Sequence, residues 1–174
     1  MPKPVILPEA HVERIEQILD ELCTKTRASY VFLADISGQL IHARGIVGST
    51  DLVTLAALTA SNMAATAEMA RQIGESQPFH LMFHEGTKRN IYLSQVGKSF
   101  LLAVVFNVEV QIGLVRLFSK RATEELTALA EEYEKIVQQT PLMMEAGFDT
   151  ALDEALDTLL PSAKQTSGKP IIVR

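Results

Sequence analysis

The chain is poor in the features that announce covalent or metal chemistry. It has one cysteine, Cys23. A single thiol forms no internal disulfide and no Cys-rich metal site. Cys23 falls in an apolar helical stripe, which points to a core residue. Basic runs are lacking too, and the net charge is -5. Both facts argue against a nucleic-acid surface. The longest apolar stretch, Phe100 to Phe106, is far too short to span a bilayer. The opening MPKPVILPEA has no signal-peptide pattern. The expectation is a cytoplasmic protein with no membrane insertion.

Catalytic signatures are missing as well. There is no Walker A loop, no GxGxxG after a strand, no HExxH and no GxSxG. Gly97-Lys98-Ser99 lacks the glycine framework of a phosphate loop and reads as a tight turn. The histidines are His11, His42, His80 and His84. His80 and His84 lie on one strand face, but no acidic or cysteine ligands accompany them, so no metal is expected. Glu85 stands beside His84 without a nucleophile or an oxyanion loop, so no active site and no cofactor are expected.

What is present is a globular composition. Apolar residues make up 47% of 174 and charged residues 21%, which suits one domain with a real core. Residues 1–7, with Pro2 and Pro4, read as a loose arm. A domain over 8–138 follows. Its first helix runs to Thr26, with Val12, Ile15, Ile18, Leu19, Leu22 and Cys23 at helical spacing. Residues 29–35 and 39–44 form a hairpin around Asp35-Ile36-Ser37-Gly38. Residues 51–74 form a second helix, ended by Gly74. Segments 79–85, 90–96 and 100–106 make a three-strand meander. The last is apolar throughout and should be a central strand covered on both faces. A third helix spans roughly 110–138. The order α-β-β-α-β-β-β-α gives an α+β fold, a five-stranded antiparallel sheet between helices. After a linker at 139–147, residues 148–160 read as a short amphipathic helix with Phe148, Leu152 and Leu156 on its apolar side. Residues 161–174 form a mildly basic tail expected to be disordered.

The second helix carries the most functional information. At 100° per residue, Leu52, Leu55, Leu58, Thr59, Met63, Thr66, Met69, Ala70 and Ile73 share a side expected to face the sheet. The outward side then carries Ala57, Ala60, Ser61, Ala64, Ala67, Glu68, Arg71 and Gln72. An ordinary solvated face would be rich in Lys and Glu. This one is nearly bare in the middle, and small side chains let a partner approach closely. Alanine's helix propensity would account for the same residues, but a docking surface is the better reading. Asn62, nearer the buried side, should satisfy a hydrogen bond within the fold. The 148–160 helix could equally dock on a partner or pack on its own domain.

Several segments in order, VFLADISGQLI (31–41), TLAALTASNMAA (54–65), QIGE (72–75), FHEG (83–86) and IGLVRL (112–117), resemble the Roadblock / dynein light chain superfamily. Within it they are most similar to its MglB-like members, partners of the Ras-like small GTPase MglA. The resemblance implies a homodimer whose sheets join across the interface, with both second helices on one face. It implies that this face binds a GTP-loaded MglA-like GTPase and promotes hydrolysis without an arginine finger, in cell polarity or motility. Such activation works by population shift, through tighter binding of the competent GTPase state. Carried over, Ala60, Ser61, Ala64, Ala67 and Glu68 would lie against the GTPase, with Ala57 and Arg71 at the margins. The chain departs from the pattern at Ala67 and Glu68, where two small residues such as glycine are usual. Phe148, Leu152 and Leu156 would reach another side of the GTPase. A Roadblock scaffold that binds without activating is the alternative. A small-molecule sensor would need a polar pocket between helix and sheet.

Overall fold

The apolar run beginning at Phe100 has no polar face to offer water, and it lies at the centre of the sheet. The computed structural model describes residues 7–139, with side chains to residue 135. The elements are α1 (Glu9–Thr26), β1 (Tyr30–Asp35), β2 (Leu40–Gly45), α2 (Leu52–Gln72), β3 (Leu81–His84), β4 (Arg89–Val96), β5 (Phe100–Asn107) and α3 (Ile112–Gln139). This is the expected order. Residues 1–6, 140–147 of the linker, the 148–160 segment with Phe148, Leu152 and Leu156, and the 161–174 tail lie outside the described residues. Among the described residues no helix is long and apolar enough to cross a membrane.

The sheet order is β2-β1-β5-β4-β3, antiparallel throughout. β5 therefore has β1 on one side and β4 on the other, and its residues Phe100 to Phe106 are all buried. Alternation along the strands sorts side chains onto two faces. Val31, Leu33, Leu102, Val104 and Phe106 meet Ile15, Leu19 and Leu22 of α1 and Val115, Leu126 and Ala130 of α3. Tyr30, Phe32, Ala34, Leu93, Leu101, Ala103 and Val105 meet Ala56, Ala60 and Met63 of α2. Two ion pairs help to hold β2 to α1, from Arg44 to Glu16 at 2.7 Å and to Asp20 at 3.2 Å. β3 is shorter than the expected 79–85. Pro78 supplies no donor next to that stretch, and Gln95 N–H to the His80 carbonyl, at 2.9 Å, is the last bond beyond the strand.

The Gly97-Lys98-Ser99 triplet makes the turn between β4 and β5. Gly97 has φ +56 there, and the Ser99 hydroxyl donates to Glu134 Oε1 at 2.6 Å. The triplet holds the turn to α3.

Two contacts fix α2 on its face of the sheet. Asp51 caps its start, accepting from the Val53 N–H at 3.0 Å and the Thr54 N–H at 3.1 Å, while the Thr54 hydroxyl donates to it at 2.6 Å. That hydroxyl first, and the backbone donors with it, hold the Asp51 carboxyl below its ordinary value. The β1–β2 turn then touches the helix one turn on. Gly38 has φ +90, and a Cβ there would stand 2.7 Å from the Ala57 Cα.

Gly38→Ala is expected to lose about 1–3 kcal/mol from backbone strain alone, with further loss as the turn is pushed off α2. Urea denaturation measures it, and an unchanged midpoint would remove the turn from the placement of α2. For Asp51→Ala the expected result is a lower urea midpoint at pH 7. A lowered folded-state pKa stabilises above the ordinary carboxylate pKa, and that stabilisation is lost as pH falls through the lowered value. The gap between wild type and Asp51→Ala should therefore close in acid, and a gap constant from pH 7 to pH 3 would contradict the cap.

Candidate partner-binding surface

α2 is apolar on nearly every side, and its orientation decides what it can bind. Ala56, Thr59, Ala60, Met63 and Ala70 are buried against the sheet. Ala57, Ser61, Ala64, Ala65, Glu68, Arg71 and Gln72 are exposed. Two groups sit differently from expectation. Ala60, assigned to the outward face, is 7% exposed and packs in the core, and Ala67 is half-buried. Leu58, Met69 and Ile73, expected to face the sheet, are 59%, 59% and 70% exposed. The true outward crest is turned about 50° from Ala57 toward Ser61 and Ala65. The cause is size. Ala56, Ala60 and Ala70 let the helix lie close over Tyr30 and Phe32, with Met63 the one long side chain buried there, while Leu58, Met69 and Ile73 overhang.

The exposed surface divides into three strips. The Asn62 amide lies 3.4 Å from His84 Nε2, so that flank of α2 faces β3. Leu58, Met69 and Ile73 fall within about 40° of Asn62 on the helix, so they form an apolar shoulder on the β3 side. The opposite shoulder holds Val53, Ala57, Ala64 and Arg71, on the side of the Gly38 turn. Between them runs the crest, Ser61, Ala65, Glu68 and Gln72. The Ser61 hydroxyl donates back to the Ala57 carbonyl at 2.9 Å, which leaves this part of the crest low and without a free donor.

The only formal charges of α2 are at its end. Arg71 donates to Glu68 through Nε at 2.9 Å and a terminal nitrogen at 2.6 Å, and Gln72 donates to the same carboxylate at 2.7 Å. The guanidinium first, then the amide, hold the Glu68 carboxyl below its usual range. The pair holds the Arg71 proton more firmly in turn. Both groups are exposed, so the network shapes the surface more than it stabilises the fold.

Beside the apolar shoulder lies the outer edge of β3, with no strand beyond it among the described residues. Phe79 and Leu81 are partly exposed there. Periodicity missed Leu58, Met69 and Ile73 as surface residues. The available signal was the lack of a polar side, since an amphipathic solution for this helix requires one.

The remaining sequence candidates are dispersed. His11 Nε2 is 3.0 Å from Glu132 and His42 Nε2 is 3.3 Å from Glu16, so each sits in a separate contact with α3 or α1. Burial first, then Arg44, holds His42 below its ordinary pKa. Cys23 is half-buried, donating to the Ala28 carbonyl at 3.5 Å, and burial pushes its thiol up. Among the described residues no three His, Cys, Asp or Glu side chains come together as a metal site.

A five-stranded antiparallel sheet with α2 alone on one face and two helices on the other also occurs in known proteins. The profile of the Roadblock/LC7 domain matches residues 14–106. The MglB structure from Myxococcus xanthus is 41% identical, with TM-score 0.66 over 68% of this chain and 96% of that one. A gliding protein MglB from Thermus thermophilus is 33% identical, with TM-score 0.69 over 76% of this chain and 99% of that one. An MglB structure described as a tetrameric arrangement is 34% identical, with TM-score 0.71 over 76% and 99%. Matching both the family profile and these structures along most of its described length, the chain belongs to the Roadblock/LC7 family.

Proposed function

We propose that this chain is a homodimeric, cytoplasmic regulator of an MglA-like small Ras-like GTPase, acting in cell polarity or motility. The observation that carries the reading is the exposed, nearly uncharged surface of α2 beside an open β3 edge. The similarity to MglB supports a regulatory rather than a catalytic protein. One relative bears the name gliding protein, and another is described in a tetrameric arrangement, which supports motility and self-association.

The surface divides the labour. A second copy pairs along β3 and covers Leu58, Met69 and Ile73, since open edges and apolar shoulders both favour burial. That leaves the crest and far shoulder of two α2 helices side by side. Ala57, Ser61, Ala64, Glu68 and Arg71 then meet the GTP-loaded GTPase, whose switch segments can approach the small side chains closely. Ala60 and Ala67 contribute by letting α2 sit low on the sheet. The regulator tightens on the hydrolysis-competent state and shifts its population. Arg71 is the only cation of α2. Its pairing with Glu68 fits a mechanism without an arginine finger. Phe148, Leu152 and Leu156, outside the described residues, would contact another side of the GTPase.

Glu68 favours a second reading, a scaffold that binds without activating, because it places a carboxylate where the family pattern has a small residue. GTP turnover by the cognate GTPase separates the two. Faster turnover with this protein present is expected, and binding with unchanged turnover leaves the scaffold. Ala64→Arg should abolish GTPase binding while the dimer persists, and equal binding by the variant would take α2 out of the interface. Met69→Glu should convert the dimer to monomer in sedimentation at micromolar concentration. A Met69→Glu dimer as tight as wild type would place the self-interface elsewhere.

A further inference from the structure

The β3 edge carries two histidines that one protomer keeps apart. His80 and His84 are both exposed. Met82, between them, packs against the core under α2. Side chains two apart share a face of a strand, so all three point to the α2 side. The contact of His84 with Asn62 agrees, since Asn62 stands on α2. Four residues of strand hold the two imidazoles roughly 13 Å apart. Within one protomer they cannot share a ligand.

The ladder to β4 determines what β3 can offer a second copy. The Gln95 N–H donates to the His80 carbonyl at 2.9 Å, and Met82 pairs with Leu93 and His84 with Ile91. In an antiparallel pair, alternate residues turn their N–H and C=O to the same side. His80, Met82 and His84 therefore direct theirs to β4, and Leu81 and Phe83 turn theirs to the open edge. A symmetric antiparallel partner has to hydrogen-bond through those two residues. The two-fold axis then passes through a residue position rather than between two. Placed at Met82, the middle of the stretch from His80 to His84, it lets the whole stretch pair. Leu81 then exchanges hydrogen bonds with the partner's Phe83. Moving the axis to Leu81 or to Phe83 leaves part of the stretch unpaired.

This register sets His80 opposite the partner's His84, and His84 opposite the partner's His80. Both are non-hydrogen-bonded pairs, in which side chains stand closest, with Cβ atoms about 4.5–5.5 Å apart. Two imidazole nitrogens on one tetrahedral ion lie about 3.3 Å from each other, which that spacing allows. Imidazole is a ligand suited to zinc, copper and nickel.

We propose that the dimer holds two equivalent sites for a divalent transition ion, each formed by His80 of one copy and His84 of the partner subunit, with waters completing the coordination. The ion ties the two β3 strands together beside the paired α2 helices and favours dimer over monomer. The inference rests on the β3-paired dimer of the proposed function.

Zinc titration of the full chain tests it, by calorimetry above neutral pH, since metal binding needs the unprotonated ring. Sedimentation of the same samples, with and without zinc, reports the dimer separately. Wild type should be a dimer that binds zinc and dissociates less on dilution when zinc is present. His80→Ala and His84→Ala should remain dimers, and each should lose that binding. Co-expression of the two variants is the decisive arm. A mixed dimer keeps one intact site, so the pair should regain part of the binding that neither variant shows alone. Zinc binding that survives either substitution, or a co-expressed pair as silent as its parents, overturns the site and leaves the dimer standing. A wild type that stays monomeric with and without zinc overturns both.

Discussion

β5 dictates the architecture. Seven consecutive residues, Phe100 to Phe106, are buried, and alternation sends them to opposite faces of the sheet. A strand of this kind cannot sit at an edge or on a one-layered sheet without exposing one apolar face to water. It needs strands on both sides and helices above and below. β1 supplies one side although the hairpin it belongs to lies far away in sequence, and its register pairs Phe32 with Ala103. β4 supplies the other. The two cores then follow directly, one under α1 and α3 and one under α2.

The same order creates the candidate surface. β2 and β3 lie at opposite edges, so the chain between them has to cross the sheet, and α2 is that crossing. It packs chiefly over β2, β1 and β5. Among the described residues its flank toward β3 has no neighbour of comparable bulk, and Leu58, Met69 and Ile73 overhang there. The cap at Asp51 and the approach of Gly38 to Ala57 hold the helix near its start. A surface presented this way changes little on binding, which keeps the entropic cost of association down.

The strands were legible from the sequence because each is a short apolar or alternating run between turn residues, although β3 is shorter than its run. The hairpin turn at Asp35 to Gly38 and the turn at Gly97 are written in their residue types. The Asp35 carboxylate accepts from the Ser37 and Gln39 N–H groups in an Asx-type turn. The direction of α2 was not legible. A helical wheel finds a buried side by contrast with a polar one, and α2 has almost no polar side. Weighting by size did not help, since Ala56, Ala60 and Ala70 are buried with Met63 while Leu58 and Met69 are exposed. Close approach to a sheet bearing Tyr30 and Phe32 favours small residues at most of the buried positions, so on this helix size does not tell the buried side from the exposed one. Family resemblance pointed to α2 as a whole and carried the buried Ala60 along with its exposed neighbours.

The missing contrast in α2 has its own meaning. A helix of a monomer that is apolar all round is normally buried all round. Among the described residues α2 is buried on one side only, so its remaining apolar surface is open to a covering partner. The two sheet edges differ in the same sense. β2 is clasped to α1 by Arg44 through Glu16 and Asp20, while β3 is short, carries the exposed Leu81 and follows the exposed Phe79. If both edges were equally open, strand addition could propagate from copy to copy without limit. With one edge open, self-pairing uses the same patch on both copies and closes at two. The proposed dimer accordingly uses the β3 edge, and the clasp of β2 to α1 leaves the other edge less available.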